Sequence, residues 1–426
     1  MNTNNQALYP LLDQWIDQHF DEEIEFLQSL VQIPTDTPPG NNTPHAQHTA
    51  SKLRDMGFKP ELFEVPSEQV REAGLQSITN VVARVALDTP GKTLALNAHG
   101  DVVPPGEGWT HPPYGAEIEN GVLYGRASAV SKSDFATFTY AVLALNALRR
   151  SKGLRLAGQL ELHFTYDEEF GGLLGPGYLL TQGITKPDWM IAAGFSYQVV
   201  TAHNGCLQME VTVHGKMAHA AIPQSGIDAL QGAVHVMNAL YACNERYRSV
   251  RSTVEGIEHP YLNIGTVVGG TNTNVIPGKV TFKLDRRMIP EEDAQVVENE
   301  VLAVIKAAER EFNHGRNDEG IRVEVKRILL AHSMKPLPGH ERLAQPLQKH
   351  GETLFGEPIP AVGTPLYTDV RLYGEHGIPG VIYGAGPRTV LESHAKRADE
   401  RLVLEDLRRA TQVVARTLLD LTTPES

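Results

Sequence analysis

Between residues 207 and 330 the chain carries six segments whose order leaves few topologies open. Residues 207–213 (LQMEVTV) alternate as a strand, and 226–247 read as a long helix. Residues 261–269 and 279–288 are strands separated by a Gly/Asn/Pro turn, 291–312 form a second long helix, and 322–330 a last strand. The order β-α-β-β-α-β is that of a ferredoxin-like split unit, and a stretch of roughly 120 residues can hold its own core.

The pattern outside that stretch is different. Leu11, Trp15, Phe20, Ile24, Leu27, Leu30 and Val31 recur at helical spacing, predicting two helices before Pro34, Pro38, Pro39 and Gly40 stop them. The runs 80–85 (NVVARV), 93–97 (TLALN) and 159–165 (QLELHFT) are short, β-rich and bounded by turns, and 133–148 is helical. Strands alternating with helices predict an α/β layer with a largely parallel sheet. The alternation resumes after Leu330. The split unit, 207–330, is therefore expected to be an insertion into one α/β domain formed by 1–206 and 331–426.

Charge and cysteine content narrow the function. With 38 Lys+Arg against 51 Asp+Glu the net charge is −13, which lacks the basic footprint of a nucleic-acid binder. Cys206 and Cys243 are too few for a disulfide framework and form no CxxC pair, as expected in a reducing compartment. The N-terminal segment has no basic start followed by an apolar core, and no run of about 18 apolar residues exists. A cytoplasmic protein without a membrane span is expected.

Five segments carry chemistry. NAHGDVVPPG places His99 and Asp101 directly after a strand, where ligands bind in α/β sheets. FTYDEEFGG puts Asp167, Glu168 and Glu169 at another strand end, where consecutive carboxylates call for a cation or for a proton held at raised pKa. HGKMAHAAIP contributes His219. GGTNTNVIPGKVTFKLDRR contributes Asn274 and Arg287, whose fork can receive a carboxylate. YGAGPRTVLESHAKRADE contributes Gly384, Gly386 and His394. Taken singly, each could also be a solvated turn or a surface residue.

In this order, and together with IPTDTPPG, GVLYGRAS and YTDVRLYGEHGIPGVIYGAGP, the segments resemble one family. It is the co-catalytic zinc family of aminoacylase, glutamate carboxypeptidase, acetylornithine deacetylase and succinyl-diaminopimelate desuccinylase. The resemblance covers nearly the whole chain. It implies a zinc-exopeptidase-like three-layer α/β catalytic domain with an inserted ferredoxin-like dimerisation or lid domain. It further implies a homodimer and a hydrolase of small N-acyl amino acids or dipeptide-like carboxylates. At matching positions His99, Glu169 and His394 would be metal ligands, Asp101 would steady the His99 ring, and Glu168 would be the general base. His219 would stabilise the oxyanion, Asn274 and Arg287 would receive the substrate carboxylate, and the Gly384–Gly386 turn would line the pocket.

Two positions depart from the family pattern. Its GRG-x-x-D-x-K-G segment reads GRASAVSKS here, so the bridging Asp is replaced by Val130 while Lys132 is kept. An acidic ligand downstream of the DEE segment is replaced by Phe195. Neither can bind a metal. One zinc (or manganese or cobalt) per chain is expected rather than two, with Asp134 as a possible displaced ligand if it lies one helical turn after Val130. Two alternatives remain open. In one, Glu168 and Lys132 perform metal-free isomerase, lyase or decarboxylase chemistry; in the other, the chain binds carboxylates without turnover.

Overall fold

The computed structural model describes residues 3–316 and 320–424, which divide into two compact units. The first comprises Met1–Thr201, Pro336–Val362 and Thr368–Ser426; the second comprises Ala202–Lys335 and Gly363–Tyr367.

The first unit is built on an eight-stranded sheet. In spatial order its strands are Pro60–Glu64, Thr79–Ala86, Ala157–Thr165, Thr89–His99, Trp189–Ala192, Gly380–Ile382, Val199–His203 and Ala361–Thr364. The β-rich runs read from the sequence are its central strands. They do not pair with one another in chain order. Thr79–Ala86 and Thr89–His99 both pair with Ala157–Thr165, the former antiparallel and the latter parallel. Thr89–His99 and Gly380–Ile382 run parallel to Trp189–Ala192, while Gly380–Ile382 meets Val199–His203 antiparallel. The sheet is thus mixed, with a parallel centre, rather than largely parallel.

The helix Lys132–Lys152 lies against this centre. Its residues from Lys132 to Val142 are all buried, so it has no polar face. Phe135 stacks on Phe164 of the sheet with centroids 4.1 Å apart, and full burial of each ring is worth roughly 2–3 kcal/mol. The helix ends at Gly153, whose φ of +62° accepts the left-handed cap that a side chain would resist.

The second unit has the β-α-β-β-α-β order and a four-stranded antiparallel sheet. Its spatial order is Tyr261–Gly269, Lys279–Met288, Gly205–His214, Arg322–Ala331. Its two helices start later than their apolar spacing suggests, at Ala229 and Ala294. Asp228 and Asp293 each accept two backbone N–H groups of the first turn, and the Ile227 backbone is engaged with Lys216. Among the described residues no helix is long and apolar enough to cross a membrane.

One core carboxyl gives a stability prediction. Glu23 is fully buried, accepts the Thr411 hydroxyl at 2.6 Å through Oε1, and leaves Oε2 without a partner. Burial raises its pKa from 4.5 to about 8, against the smaller pull of Thr411. The folded state therefore holds a proton that the unfolded chain releases. Stability should fall as pH rises from the unfolded value towards about 8 and level off above it. Glu23→Gln should flatten that slope. At roughly 1.4 kcal/mol per pKa unit the rise is worth roughly 5 kcal/mol; less roughly 1–3 kcal/mol for an unpaired amide, a gain of about 2–4 kcal/mol is expected at about pH 8.5 and none at about pH 5. Urea midpoints at the two pH values measure it, and an unchanged slope would refute the assignment.

Candidate active site

The register of two central strands builds the site. His99, the last residue of Thr89–His99, stands opposite Thr165, the last residue of Ala157–Thr165. The segments that follow, His99–Gly100–Asp101 and Asp167–Glu168–Glu169, are therefore side by side at the carboxyl ends of parallel strands. Gly100 is required for packing: a Cβ there would stand 2.4 Å from Cε1 of Tyr166. Ser131 holds the His99 backbone, its Oγ accepting from His99 N at 3.1 Å and donating to His99 O at 2.9 Å.

Asp101 does more than steady the His99 ring. Its carboxylate is fully buried and accepts the backbone N–H of Glu168 at 3.2 Å and of Glu169 at 3.0 Å. The His99 ring is held by the Asp101 main-chain oxygen, 3.0 Å from Nδ1, while the carboxylate lies 3.6 Å away. Asp101 therefore fixes the turn Glu168–Phe170 that presents both glutamates. Glu168 Oε2 faces His99 Nε2 at 3.9 Å, beyond hydrogen-bond distance. Glu169 Oε2 accepts from the Lys396 ammonium at 2.6 Å.

Electrostatics follow from this crowding. Burial lifts the Glu168 pKa from 4.5 to about 8; His99 and Lys396 oppose the rise and Glu169 and Asp369 add to it. Burial works against a charged His99 ring, but Glu168, Asp101 and Glu169 prevail and raise it to about 10. Burial likewise raises Asp167 to about 8. Two further buried carboxyls lie within electrostatic reach of His99: Asp134, raised by burial to about 8, and Asp369, raised to about 6. Each has one oxygen, Oδ2, without a hydrogen-bond partner.

The remaining residues expected here are placed as follows. The helix begins at Lys132, so Val130 precedes it and does not share a helical face with Asp134. Asp134 Oδ1 accepts from Ala385 N at 2.7 Å. Lys132 is fully buried and donates to the Ile33 main-chain oxygen at 2.9 Å, with burial lowering its pKa to about 7. Gly384 is demanded by Asp134, whose Oδ1 would lie 2.1 Å from a Cβ there. The Gly386 N–H is spent on Gly194 O, opposite Phe195. His394 Nδ1 lies 3.1 Å from Ala398 O.

His219, Asn274 and Arg287 belong to the second unit. His219 and Asn274 are brought together on a short ladder, His219 opposite Val275 and Ala220 N donating to Asn274 O at 3.0 Å. Both are exposed. The Arg287 fork is engaged by Asp285, at 2.6 and 3.3 Å, and lies over the Tyr367 ring.

Sequence reasoning did not single out Asp369, Ser131 or Lys396. All three sit inside or beside segments it had quoted: YTDVRLY, GRASAVSKS and SHAKRADE.

Residues 95–420 match the family described as peptidase family M20/M25/M40. The chain belongs to that family. This M20/M25/M40 chain is accordingly a hydrolase by descent, in a family whose peptidases are metal-dependent. Solved structures agree in fold. Human carnosine dipeptidase 1 is 17% identical, with 97% of this chain and 98% of that one covered and a TM-score of 0.74. The M20 family metallo-carboxypeptidase Sso-CP2 of Sulfolobus solfataricus is 17% identical over 93% and 98%, with a TM-score of 0.76. The Bacillus subtilis YXEP protein, described as a dinuclear metal binding peptidase from the M20 family, is 16% identical over 95% and 99%, with a TM-score of 0.64.

The residues of this M20/M25/M40 chain do not fit a metal pair. Among the described residues no three His, Cys, Asp or Glu side chains are arranged to hold an ion. Val130 and Phe195 offer no donor. Glu169 is paired with an ammonium instead.

Proposed function

We propose that the chain hydrolyses the amide bond of a small N-acyl amino acid or dipeptide-like substrate bearing a free carboxylate, with Glu168 as general base. The observation that supports this most directly is the Glu168 carboxylate. Its backbone N–H is held at a strand end by Asp101, and the carboxylate is nearly buried, with a pKa of about 8 and with Oε2 3.9 Å from His99 Nε2. Glu168 takes a proton from water as the water oxygen attacks the carbonyl carbon. It then passes that proton to the leaving nitrogen as the C–N bond breaks. The side chains of His99 and Lys396 flank the carboxylates with positive charge, which favours the oxyanion formed in between. For His219 we propose a further oxyanion contact, and for Asn274 and Arg287 recognition of the substrate carboxylate.

We also propose a cytoplasmic homodimer. Tyr261–Gly269 is an edge strand of the second unit, and Tyr261, Val267 and Val268 on it are exposed. An edge of this kind can pair with its copy across a two-fold axis. The free, buried thiols of Cys206 and Cys243 agree with a reducing compartment.

A second reading, proton transfer without hydrolysis, is favoured by the apolar Val130 and Phe195 and by the Lys396–Glu169 pair. Incubating N-acyl amino acids and dipeptides with the protein in H₂¹⁸O and, separately, in D₂O separates the two. Hydrolysis should place one ¹⁸O in the released carboxylate. Deuterium at the α-carbon with no ¹⁸O would replace the hydrolytic reading by the proton-transfer one.

A further inference from the structure

We propose that the Lys396 ammonium is a built-in substitute for one of the family's metal ions, so that this site carries its own fixed cation and binds no co-catalytic metal pair. The inference rests on the reading of Glu168 and its neighbours as the active centre. It is carried by the side chains present there.

The first argument is the donor set. A two-ion centre needs a carboxylate between the ions to offset their repulsion, and the position that would supply it is Val130. Its backbone is tied down, its N–H donating to Glu400 Oε1 at 3.2 Å. The next acidic position is Phe195, whose backbone is bridged to Gly386 and whose ring would lie 2.9 Å from a Cβ at that residue.

The second argument is occupancy. Glu169 Oε2 is 2.6 Å from Lys396 Nζ, while the Glu169 side chain is nearly buried. A divalent ion bound to the same carboxylate at ordinary coordination distance would face the ammonium across one carboxylate group. Like charges at that range repel, although the Lys396 side chain is 57% exposed and solvent screens part of the repulsion. The ammonium and the ion compete for the same carboxylate.

The third argument is that Lys396 is stationed by its own loop. Downstream, Asp399 accepts from Thr110 N at 2.9 Å, Thr110 Oγ1 at 2.9 Å and His111 N at 3.2 Å. Glu400 is locked to Arg126 at 2.7 Å. Upstream, His394 is held to Ala398 O. A lysine cannot dissociate, so such a site is indifferent to metal supply.

The test starts from the full chain, purified without added metal and dialysed against EDTA. Metal content is read by plasma mass spectrometry, and zinc binding by calorimetric titration with zinc chloride. Content well below one ion per chain, no saturable zinc isotherm, and amide hydrolysis unaffected by EDTA are expected. Lys396→Met keeps the aliphatic stem and removes the charge. It should lower kcat by about 10²-fold, the loss typical of one electrostatic stabiliser, with an unchanged melting profile, and Lys396→Arg should recover much of that loss. The triple variant Val130→Asp, Phe195→Glu, Lys396→His should acquire a saturable zinc isotherm. Stoichiometric zinc in the wild type, or a saturable isotherm with Lys396 in place, would overturn the proposal. So would full activity of a folded Lys396→Met. If no amide is hydrolysed under any condition, the functional reading fails, while the zinc isotherms of wild type and triple variant still decide the substitution of ion by ammonium.

Discussion

Glu168→Gln should lower turnover by at least about 10²-fold and leave KM nearly unchanged, the lower end of the loss expected when a general base is removed. Glutamine keeps the size and one oxygen acceptor but cannot take a proton from water. The substitution should not disturb the turn, because that turn is held through backbone N–H groups of Glu168 and Glu169 on Asp101, not through the Glu168 side chain. It should also raise the melting temperature at pH above about 8. Burial makes a charged Glu168 unfavourable in the fold, so the stability lost as the pH rises from the unfolded carboxyl value of 4.5 to about 8 is recovered when the ionisable group is gone. Lower activity with higher stability is the mark of a group kept for chemistry at a structural cost. Steady-state kinetics paired with melting curves read both arms. Near-normal turnover would remove Glu168 from the mechanism.

The parts of this site that were legible in the sequence are those carried by strand ends. NVVARV, TLALN and QLELHFT are short and β-rich, with turn residues after them, so the positions of His99 and of Glu168 and Glu169 relative to their strands could be read directly. The one fact needed to join them, the register of His99 opposite Thr165, is a pairing between strands far apart in the chain, which periodicity does not encode. The sense of the sheet was misjudged for the same reason. Thr79–Ala86 lies antiparallel beside Ala157–Thr165, a choice made by packing and not by the composition of either strand.

Lys396 was illegible for another reason. It lies in a segment where His394, Lys396 and Asp399 all have positive φ, at +53°, +61° and +54°, a conformation that non-glycine residues adopt only where their surroundings impose it. No pattern of spacing predicts where such a loop sends its side chains. Asp101 shows a milder case. That an Asp near a His belongs to the site could be read; that its oxygens reach past the ring to the N–H groups of the neighbouring segment could not.

The anchor of that loop is the place where a single substitution should cost the most stability. Arg126 and Glu400 are each about 2% exposed and pair at 2.7 Å. Arg126 Nη2 also donates to Pro105 O at 3.1 Å, and its guanidinium lies over the Trp109 ring at 5.2 Å. Glu400 Oε1 meanwhile accepts the N–H groups of Ala129 and Val130 at 3.3 and 3.2 Å. Arg126→Met fills much of the same volume but leaves a carboxylate buried without its cation, at a cost of about 3–5 kcal/mol. The cost should depend on pH in a definite direction. Burial already holds the Glu400 pKa above its usual value, and Arg126 is the first of the groups that pull it back. Without the arginine the folded pKa rises further and the fold favours protonated Glu400. The variant should therefore be less damaged at about pH 5 than at about pH 8. Adding Glu400→Gln to Arg126→Met should restore most of the stability at the higher pH, because an amide can still accept from the two backbone N–H groups and carries no charge to bury. Urea unfolding of wild type, both single variants and the double variant gives the coupling energy. A loss below about 1 kcal/mol for Arg126→Met, the range of an exposed pair, would mean that the ion pair is not the strut of the Lys396 loop.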